Sequence, residues 1–358
     1  MKATAGQYVG LDAHQATLVI VVMDILGAVL QRTTIPTDAK RVLGFLRSLD
    51  GPVYVTFEEG ALAQWLYDLI TPLVEKVIVC NARKHQHKGN KSDDRDAEDL
   101  ANRLRMNDLS PVWHQIDDVR VLKQLAASYS TLVADSVRTM VRIKSLFLAQ
   151  AIACRGQEVY SPARRKALVN KLGTGARQRG AVLYEQLDVM QRLRPKAKLA
   201  MVREARGHAA YPVIKQCPYL GPVRTAQLLA ALVTPWRFRT KRQLWGYAGL
   251  AVVTHSSSDR HFVEGKLVRV RRAPMTRGLN RNHNPLVKEI FKAAAHDASC
   301  RPGPLGDLYR AMVARGMRRE MALLTLARKI ATVALHLWKK GGSFDPAKLT
   351  TQQPQMTQ

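Results

Sequence analysis

The stretch Lys91-Ser92-Asp93-Asp94-Arg95-Asp96-Ala97-Glu98-Asp99-Leu100-Ala101 opens a predicted helix that decides how the first part of the chain is interpreted. Its apolar residues recur at the i, i+3, i+4 spacing of an amphipathic helix. The predicted buried stripe consists of Ala97, Leu100, Ala101 and Leu104. Asp93 and Asp96 are three residues apart, so they share a face with Cβ atoms roughly 5–6 Å apart. Two neighbouring carboxylates can act as ligands of a magnesium ion that also binds a phosphate group of the substrate. A solvated acidic first turn that complements the helix dipole has the same sequence pattern.

Short apolar runs upstream of this helix predict a mixed sheet. The predicted strands span residues 8–12, 18–24, 28–35, 53–57 and 74–80. Helices are predicted over residues 40–49 and around Leu62, Trp65, Leu66, Leu69 and Ile70. Three strands in series, followed by alternating helices and strands, are the order of a ribonuclease-H-like α/β domain. The predicted fold class of residues 1–113 is therefore α/β and ribonuclease-H-like.

Two further acids end predicted strands of this sheet. Asp12 closes the first strand, and Glu58 closes the fourth, with Glu59 directly after it. Open α/β sheets bind ligands at the carboxyl ends of their strands, where Asp93 and Asp96 would arrive from the helix. Taken alone, Asp12 suits a turn and Glu58 suits a helix N-terminus, but four acids at matching ends predict a site for Mg²⁺ or Mn²⁺. The choice between Glu58 and Glu59 stays open.

The chain is strongly basic. Lys and Arg number 56 against 28 Asp and Glu, which gives a formal net charge of +28. This excess favours a polyanionic partner, DNA or RNA, although ribosomal and membrane-surface proteins are also basic. No apolar run reaches about 18 residues without a charge, so no membrane-spanning segment is predicted. The predicted nucleic-acid contacts are Arg83, Lys84, Lys88, Lys91, Arg260, Lys266, Arg269, Arg271, Arg272, Arg277 and Arg281.

Beyond residue 113 the pattern becomes mostly helical. Residues 114–210 are predicted to form a coiled-coil-like helical connector, which is either an oligomerisation arm or an ordinary helical subdomain. Its apolar residues at helical spacing are Val121, Leu122, Leu125, Leu132, Val133, Val137, Val141, Leu146 and Leu148. Residues 211–345 are predicted to form a mostly helical domain with a small β-hairpin over 262–272 and a helix that opens at 276–283. Residues 346–358 are a predicted disordered tail.

Cysteine usage predicts a reduced, intracellular protein. Cys80, Cys154, Cys217 and Cys300 are far apart and form no CxxC pair. They are therefore predicted to be core residues rather than zinc ligands or disulfide partners.

A serine run lies in the C-terminal region. Ser256, Ser257 and Ser258 follow a β-like run and have His255 and Arg260 nearby. A serine among arginines suits attack on a phosphodiester, because guanidinium groups stabilise the charge of the phosphorane. A polar serine loop over a basic surface is the alternative, and the residues themselves do not decide between the two.

Several short motifs together resemble one family. They are Gly10-Leu11-Asp12, Phe57-Glu58-Glu59-Gly60, Lys91-Ser92-Asp93 with Asp96 and Ala97, Tyr247-Ala248-Gly249-Leu250, and Thr276-Arg277-Gly278-Leu279-Asn280. Over residues 7–113 and 211–300 the chain resembles the bacterial insertion-sequence transposases of the IS one-ten (IS110) group. The resemblance implies a RuvC-like DEDD domain, a helical connector and a C-terminal transposase domain with a catalytic serine.

The resemblance also assigns roles to single residues. Asp12, Glu58, Asp93 and Asp96 would bind Mg²⁺ or Mn²⁺, and Ser257 would be the nucleophile. The family's serine is often followed by glycine, whereas Ser258 and Asp259 follow Ser257 here, so Ser256 and Ser258 remain alternatives.

The implied reaction is Mg²⁺-dependent cleavage and rejoining of donor and target double-stranded DNA through a phosphoserine intermediate. The family further implies a structured non-coding guide RNA, a homodimer or tetramer, and action at the nucleoid in the bacterial cytoplasm. Two other functions remain open. One is a metal-dependent, structure-specific nuclease that activates water, as a Holliday-junction resolvase does, and the other is a non-catalytic, basic nucleic-acid-binding protein.

Overall fold

The computed structural model describes residues 6–81, 93–114, 119–255, 260–263, 266–269 and 275–349. The chain divides into two compact units, Met1–Asp117 and Asp118–Gln358. A mixed α/β sheet makes up the first unit, and the second is mostly helical. The predicted mixed sheet and helical remainder are therefore present. The predicted boundaries at residues 113, 210 and 345 stay predictions.

The first unit is built on a five-stranded sheet with the order β3-β2-β1-β4-β5. Its strands are β1 (Gln7–Ala13), β2 (Thr17–Met23), β3 (Val29–Pro36), β4 (Val53–Glu58) and β5 (Lys76–Cys80). Its helices are α1 (Ala39–Arg47), α2 (Ala63–Ile70) and α3 (Asp93–Arg105). The central strand β1 is antiparallel to β2 and parallel to β4, so the carboxyl ends of β1 and β4 share one edge.

Alternation along β1 sends its side chains toward two different helical layers. Val9 and Leu11 are buried in the core that includes α1 and α2. Gly10 faces α3, where a Cβ would lie 2.1 Å from the backbone oxygen of Ala97 and 2.6 Å from the backbone nitrogen of Ala101. The missing side chain at Gly10 therefore lets the α3 backbone contact the sheet. The predicted stripe of α3 is confirmed, since its buried residues are Ala97, Leu100, Ala101 and Leu104.

The second unit is organised around a pair of long helices and a helical core. Its helices are α4 (Arg120–Leu148), α5 (Pro162–Val169), α6 (Thr174–Arg206), α7 (Ala210–Lys215), α8 (Pro222–Leu232), α9 (Lys241–Tyr247), α10 (Pro285–Ser299), α11 (Pro304–Ala314) and α12 (Arg319–Lys340). Short 3-10 turns span Glu158–Tyr160, Pro235–Arg237 and Pro346–Leu349. The strands are β6 (Val252–His255), β7 (Arg260–Val263), β8 (Lys266–Arg269) and β9 (Met275–Leu279). β7 and β8 form the predicted hairpin, and β6 pairs with β9.

Helices α4 and α6 pack against each other in antiparallel fashion. The C-terminal part of α4 and the N-terminal half of α6 form a separate small core that contains Ile143, Phe147 and Leu187. At the opposite ends of the two helices, Leu122 and Met201 belong to the main core of the second unit. The helical hairpin therefore belongs partly to the main core and partly to a core of its own.

The apolar residues at helical spacing on α4 divide between buried and exposed positions. Leu122 and Leu146 are buried, whereas between 54 and 77% of the surface of each of Val121, Val137, Val141 and Leu148 is exposed. The buried face of α4 also includes the small or polar residues Ala126, Ser136 and Thr139. Small side chains allow the backbones of packed helices to approach closely, so apolarity alone does not identify the contact face.

The helix predicted to open at residues 276–283 begins later. Thr276 pairs with Thr254 in the β6–β9 ladder. The helix starts at Pro285, because the side chain of Asn284 accepts a hydrogen bond of 3.1 Å from the backbone N–H of Val287.

One predicted core position is wrong. Cys300 is exposed, whereas Cys80 and Cys217 are buried and Cys154 is half-buried, and all four thiols are free.

Among the described residues, α12 is the one helix long and apolar enough to cross a membrane by length and composition. Its apolar side chains are largely buried in the main core of the second unit, with Leu326, Ile330 and Ala334 nearly inaccessible. Arg328, which interrupts the apolar run, donates a hydrogen bond of 2.6 Å to the backbone oxygen of Leu250. The helix is therefore a core helix of the second unit.

Candidate metal centre

Asp12 and Glu58 lie side by side at the carboxyl edge of the sheet. The last register pair between β1 and β4 is Leu11 with Phe57, and each acid follows immediately. Neighbouring strands are about 4.8 Å apart, and register partners point to the same face. Since Gly10 faces α3, Asp12 and Glu58 lie on the α3 side of the sheet.

Helix α3 brings two more acids to this edge. Its first turn contains Asp93 and Asp96, and Ala97 lies against Gly10 of β1. The Nε2 atom of His14 is 3.0 Å from Oδ2 of Asp12 and 3.5 Å from Oδ2 of Asp93. Ligand atoms of Asp12, His14 and Asp93 all lie within 4.8 Å of one another. The structure thus brings together predicted site residues that are 81 positions apart in the sequence (93 − 12 = 81).

Negative charge is concentrated around Asp12. Burial raises the pKa of the Asp12 carboxyl group, His14 opposes this effect, and Asp93 and Asp96 raise the pKa further. The Asp12 side chain is only 20% exposed, whereas that of Asp93 is 60% exposed. A cation bound among these oxygens would relieve both the repulsion and the burial cost.

The donor set fits a hard divalent cation. Carboxylate oxygens are the ligands that Mg²⁺ and Mn²⁺ prefer in proteins. Asp12 and Glu58 are held by a rigid sheet, and Asp93 and Asp96 by the first turn of a packed helix, so their positions do not depend on flexible loops. An imidazole nitrogen of His14 lies in the same cluster.

A histidine contact separates the roles of Glu58 and Glu59. Oε2 of Glu59 lies 2.7 Å from Nε2 of His114, a residue with a side chain that is only 9% exposed. The Nδ1 atom of His114 lies 3.2 Å from Oε1 of Gln64, and the Gln64 amide donates to Asp68. Both ring nitrogens of His114 therefore lie within hydrogen-bond distance of side-chain oxygens. Glu59 is engaged by His114, whereas Glu58 follows β4 in the same register as Asp12 follows β1.

The two histidines were missed by sequence reasoning. His14 follows Asp12 by two residues, and that spacing across the β1–β2 turn was the available signal. His114 is 55 residues from Glu59, and no local pattern connects them.

Most of the other predicted site residues, or their side chains, lie outside the part of the chain that the structure describes. Ser256, Ser257, Ser258, Arg83, Lys84, Lys88, Lys91, Arg271 and Arg272 lie outside the described residues. The backbones of Arg260, Arg269 and Arg277 lie in β7, β8 and β9, but their side chains are outside the described part. Lys266 and Arg281 are exposed. Their roles in nucleic-acid binding stay predictions.

Comparison with known proteins gives matches along most of the chain. Residues 9–151 match a DEDD family model of the IS110 type described as "Transposase". Residues 211–303 match a model described as "Transposase IS116/IS110/IS902 family". A similar curated protein is "Insertion element IS116 uncharacterized 44.8 kDa protein" of Streptomyces clavuligerus, which is 24% identical over 96% of this chain and 98% of the relative. The first match contains the four predicted acids, and the second contains the serine run.

Proposed function

The chain belongs to the IS110 family of insertion-sequence transposases, and we propose that it cuts and rejoins DNA strands with a divalent metal ion bound by Asp12, Glu58, Asp93 and Asp96. The observation that carries this proposal is the position of Asp93, 3.5 Å from the same histidine nitrogen that contacts Asp12. Acids from a central strand and from a distant helix thus meet at one edge of a sheet. A solvated helix terminus would not require such an arrangement.

A ribonuclease-H-like fold of the first unit is part of the proposal. Its support is the strand order β3-β2-β1-β4-β5, with antiparallel pairing on one side of β1 and parallel pairing on the other. This topology places the acidic edge at the carboxyl ends of β1 and β4, where open α/β sheets bind their ligands.

Bound at this edge, Mg²⁺ or Mn²⁺ would polarise the scissile phosphate and stabilise the leaving oxygen. Asp12 and Glu58 would hold it from the sheet, and Asp93 and Asp96 from α3. The Nε2 atom of His14 lies 3.0 Å from Oδ2 of Asp12 and would fix the orientation of that carboxylate. The backbone contact between Gly10 and Ala97 sets the distance between the two pairs of acids.

The finer mechanism is a double transesterification at Ser257. The serine oxygen attacks the phosphorus and gives up its proton, a DNA oxygen leaves and takes up a proton, and a phosphoserine ester forms. A hydroxyl group of a second DNA end then attacks the same phosphorus and releases the serine. One phosphoester bond forms for each bond broken, so no nucleotide cofactor is needed. Support comes from the match of residues 211–303 and from the adjacent Arg260.

The first prediction concerns the serine run. Ser257→Ala is expected to abolish the covalent protein–DNA adduct, with strand joining reduced about a thousandfold, as when a catalytic nucleophile is removed. The adduct is measured by denaturing gel electrophoresis after incubation with labelled DNA. Ser256→Ala and Ser258→Ala are the matched controls and are expected to retain the adduct. Undiminished cleavage by a triple Ser→Ala variant, with free phosphate ends, would instead establish the water-activating nuclease.

The second prediction concerns the neighbouring glutamates. Glu58→Gln is expected to weaken Mn²⁺ binding about tenfold or more, because it removes a ligand charge from the α3 side. Glu59→Gln is expected to change it less than about threefold, since Glu59 pairs with His114 and Gln keeps a hydrogen-bond acceptor. Titration of the full chain with Mn²⁺ measures both. The opposite order of effects would assign the ligand to Glu59.

We propose the nucleic-acid partners and the oligomeric state from the net charge of the chain and from its family. A net charge of +28 suits double-stranded donor and target DNA together with a structured guide RNA. Base pairing with such an RNA would read the target sequence, while basic side chains hold backbone phosphates. We place the protein as a homodimer or tetramer at the nucleoid of the bacterial cytoplasm. A non-catalytic role would leave DNA rearrangement intact after substitution of Asp12 and Asp93.

A further inference from the structure

An exposed tryptophan lies in a strongly basic part of the second unit. Trp236 is 68% exposed and belongs to the 3-10 turn Pro235–Arg237. Single exposed apolar residues are ordinary on protein surfaces, so the surroundings must decide whether this one binds a partner.

The turn that carries Trp236 is fixed from several sides. The Thr234 hydroxyl accepts a hydrogen bond of 3.4 Å from the backbone N–H of Trp236. The guanidinium of Arg237 lies 5.3 Å from the ring centroid of Phe238, which is buried. Lys339 of α12 donates a hydrogen bond to the backbone oxygen of Phe238. The indole is thus presented on an ordered backbone, which lowers the entropy cost of binding.

Basic residues adjoin Trp236 in its own segment of the chain, and Lys339 approaches its indole from α12. We use "Trp236 surface" for Trp236 together with Arg239, Lys241, Arg242, Lys339 and Lys340. The Lys339 ammonium lies 5.4 Å from the Trp236 ring centroid and covers one face of the indole. Trp236 nevertheless remains 68% exposed, so most of the residue is accessible to solvent.

The segment that contains Trp236, Arg239, Lys241 and Arg242 has no acidic residue. No Asp or Glu lies between Glu204 and Asp259 in the sequence. Burial, and then the neighbouring Lys241, lower the pKa of the Lys329 ammonium on α12. Like charges are therefore crowded where α9 packs against α12, a situation that an anionic partner relieves.

The combination of an exposed indole and crowded cations selects the chemistry of the partner. Phosphate groups of a nucleic acid would pair with the basic side chains, and an unpaired base would stack on the indole. Such stacking on an aromatic side chain needs a base that is outside a duplex. An intact duplex would bring phosphates to the basic side chains but would have no unpaired base to stack on the indole. We propose that the Trp236 surface binds an unpaired stretch of the substrate DNA, with one base stacked on Trp236. This inference rests on the proposed function, which supplies the DNA substrate.

Fluorescence anisotropy of the full chain with labelled oligothymidylate, without added metal, tests the proposal. Trp236→Ala is expected to weaken binding about tenfold, and Trp236→Phe, which keeps an aromatic face, less than about threefold. Binding of a blunt duplex is expected to change less than about twofold in both variants. Trp65→Ala, at a partly exposed tryptophan of the first unit, is the matched control and is expected to leave oligothymidylate binding unchanged.

Three results would overturn the proposal. They are unchanged oligothymidylate binding by Trp236→Ala, an equal loss for duplex and single strand, and a loss confined to oligouridylate, which would assign the surface to RNA. Failure of the unaltered protein to bind any nucleic acid would instead overturn the proposed function itself.

Discussion

Gly10→Ala is expected to lower the free energy of unfolding of the first unit by about 3 kcal/mol, at the upper end of the cost of overpacking a core. The added Cβ would lie 2.1 Å from the backbone oxygen of Ala97 and 2.6 Å from the backbone nitrogen of Ala101. Neither atom belongs to a side chain that can rotate away, so α3 must shift as a whole. Amide hydrogen exchange of β1 and α3 in the full chain measures the loss.

The matched control for this change is Gly44→Ala. Gly44 lies inside α1, and a Cβ there would have no neighbouring heavy atom within 4 Å. Alanine favours a helix interior, so this variant is expected to be more stable by about 0.5–1 kcal/mol. Since α3 carries Asp93 and Asp96, Gly10→Ala should also weaken metal binding, whereas Gly44→Ala should not. Protection of α3 amides unchanged by Gly10→Ala would show that the close packing of α3 on β1 is wrong.

Asp12→Asn is expected to reduce strand cleavage about a thousandfold, because a lost ligand removes several kcal/mol of transition-state stabilisation. Cleavage of labelled element-end DNA in saturating Mg²⁺ measures this effect. Retention of cleavage within about tenfold of the unaltered protein would remove Asp12 from the reaction.

The same variant is expected to have the opposite effect on metal-free stability. Burial and the neighbouring acids raise the pKa of Asp12, so its contribution to stability is present below the unfolded pKa and is lost as pH rises through the folded pKa. Near neutral pH the neutral Asn side chain avoids this penalty, and the metal-free variant should be at least as stable as the unaltered protein. Thermal unfolding with a chelator therefore separates loss of chemistry from loss of fold.

Much of the first unit could be predicted from local sequence. The β-branched runs gave the five strands, and the spacing of Ala97, Leu100 and Leu104 gave the buried face of α3. The acids Asp12 and Glu58 could be placed because strand ends in an open α/β sheet share one edge. These inferences depend on residues that are close together in the chain, so their patterns can be recognised from the sequence alone.

Features that depend on distant partners could not be predicted in this way. On α4 the buried face includes Ala126 and Ser136, whereas the more apolar Val137 and Val141 are exposed. The pairing of Glu59 with His114 joins residues 55 positions apart and became visible only in the folded unit. It also bears on which glutamate belongs to the metal site, a choice that the sequence alone left open.

Binding of Mn²⁺ to the metal-free full chain, followed by electron paramagnetic resonance, tests the metal site most directly. The proposed site predicts saturable binding to the unaltered protein and affinity at least about tenfold weaker in the Asp12→Asn, Asp93→Asn double variant. Equal Mn²⁺ affinity of the two proteins, with both folded, would contradict the metal site at the edge of the sheet.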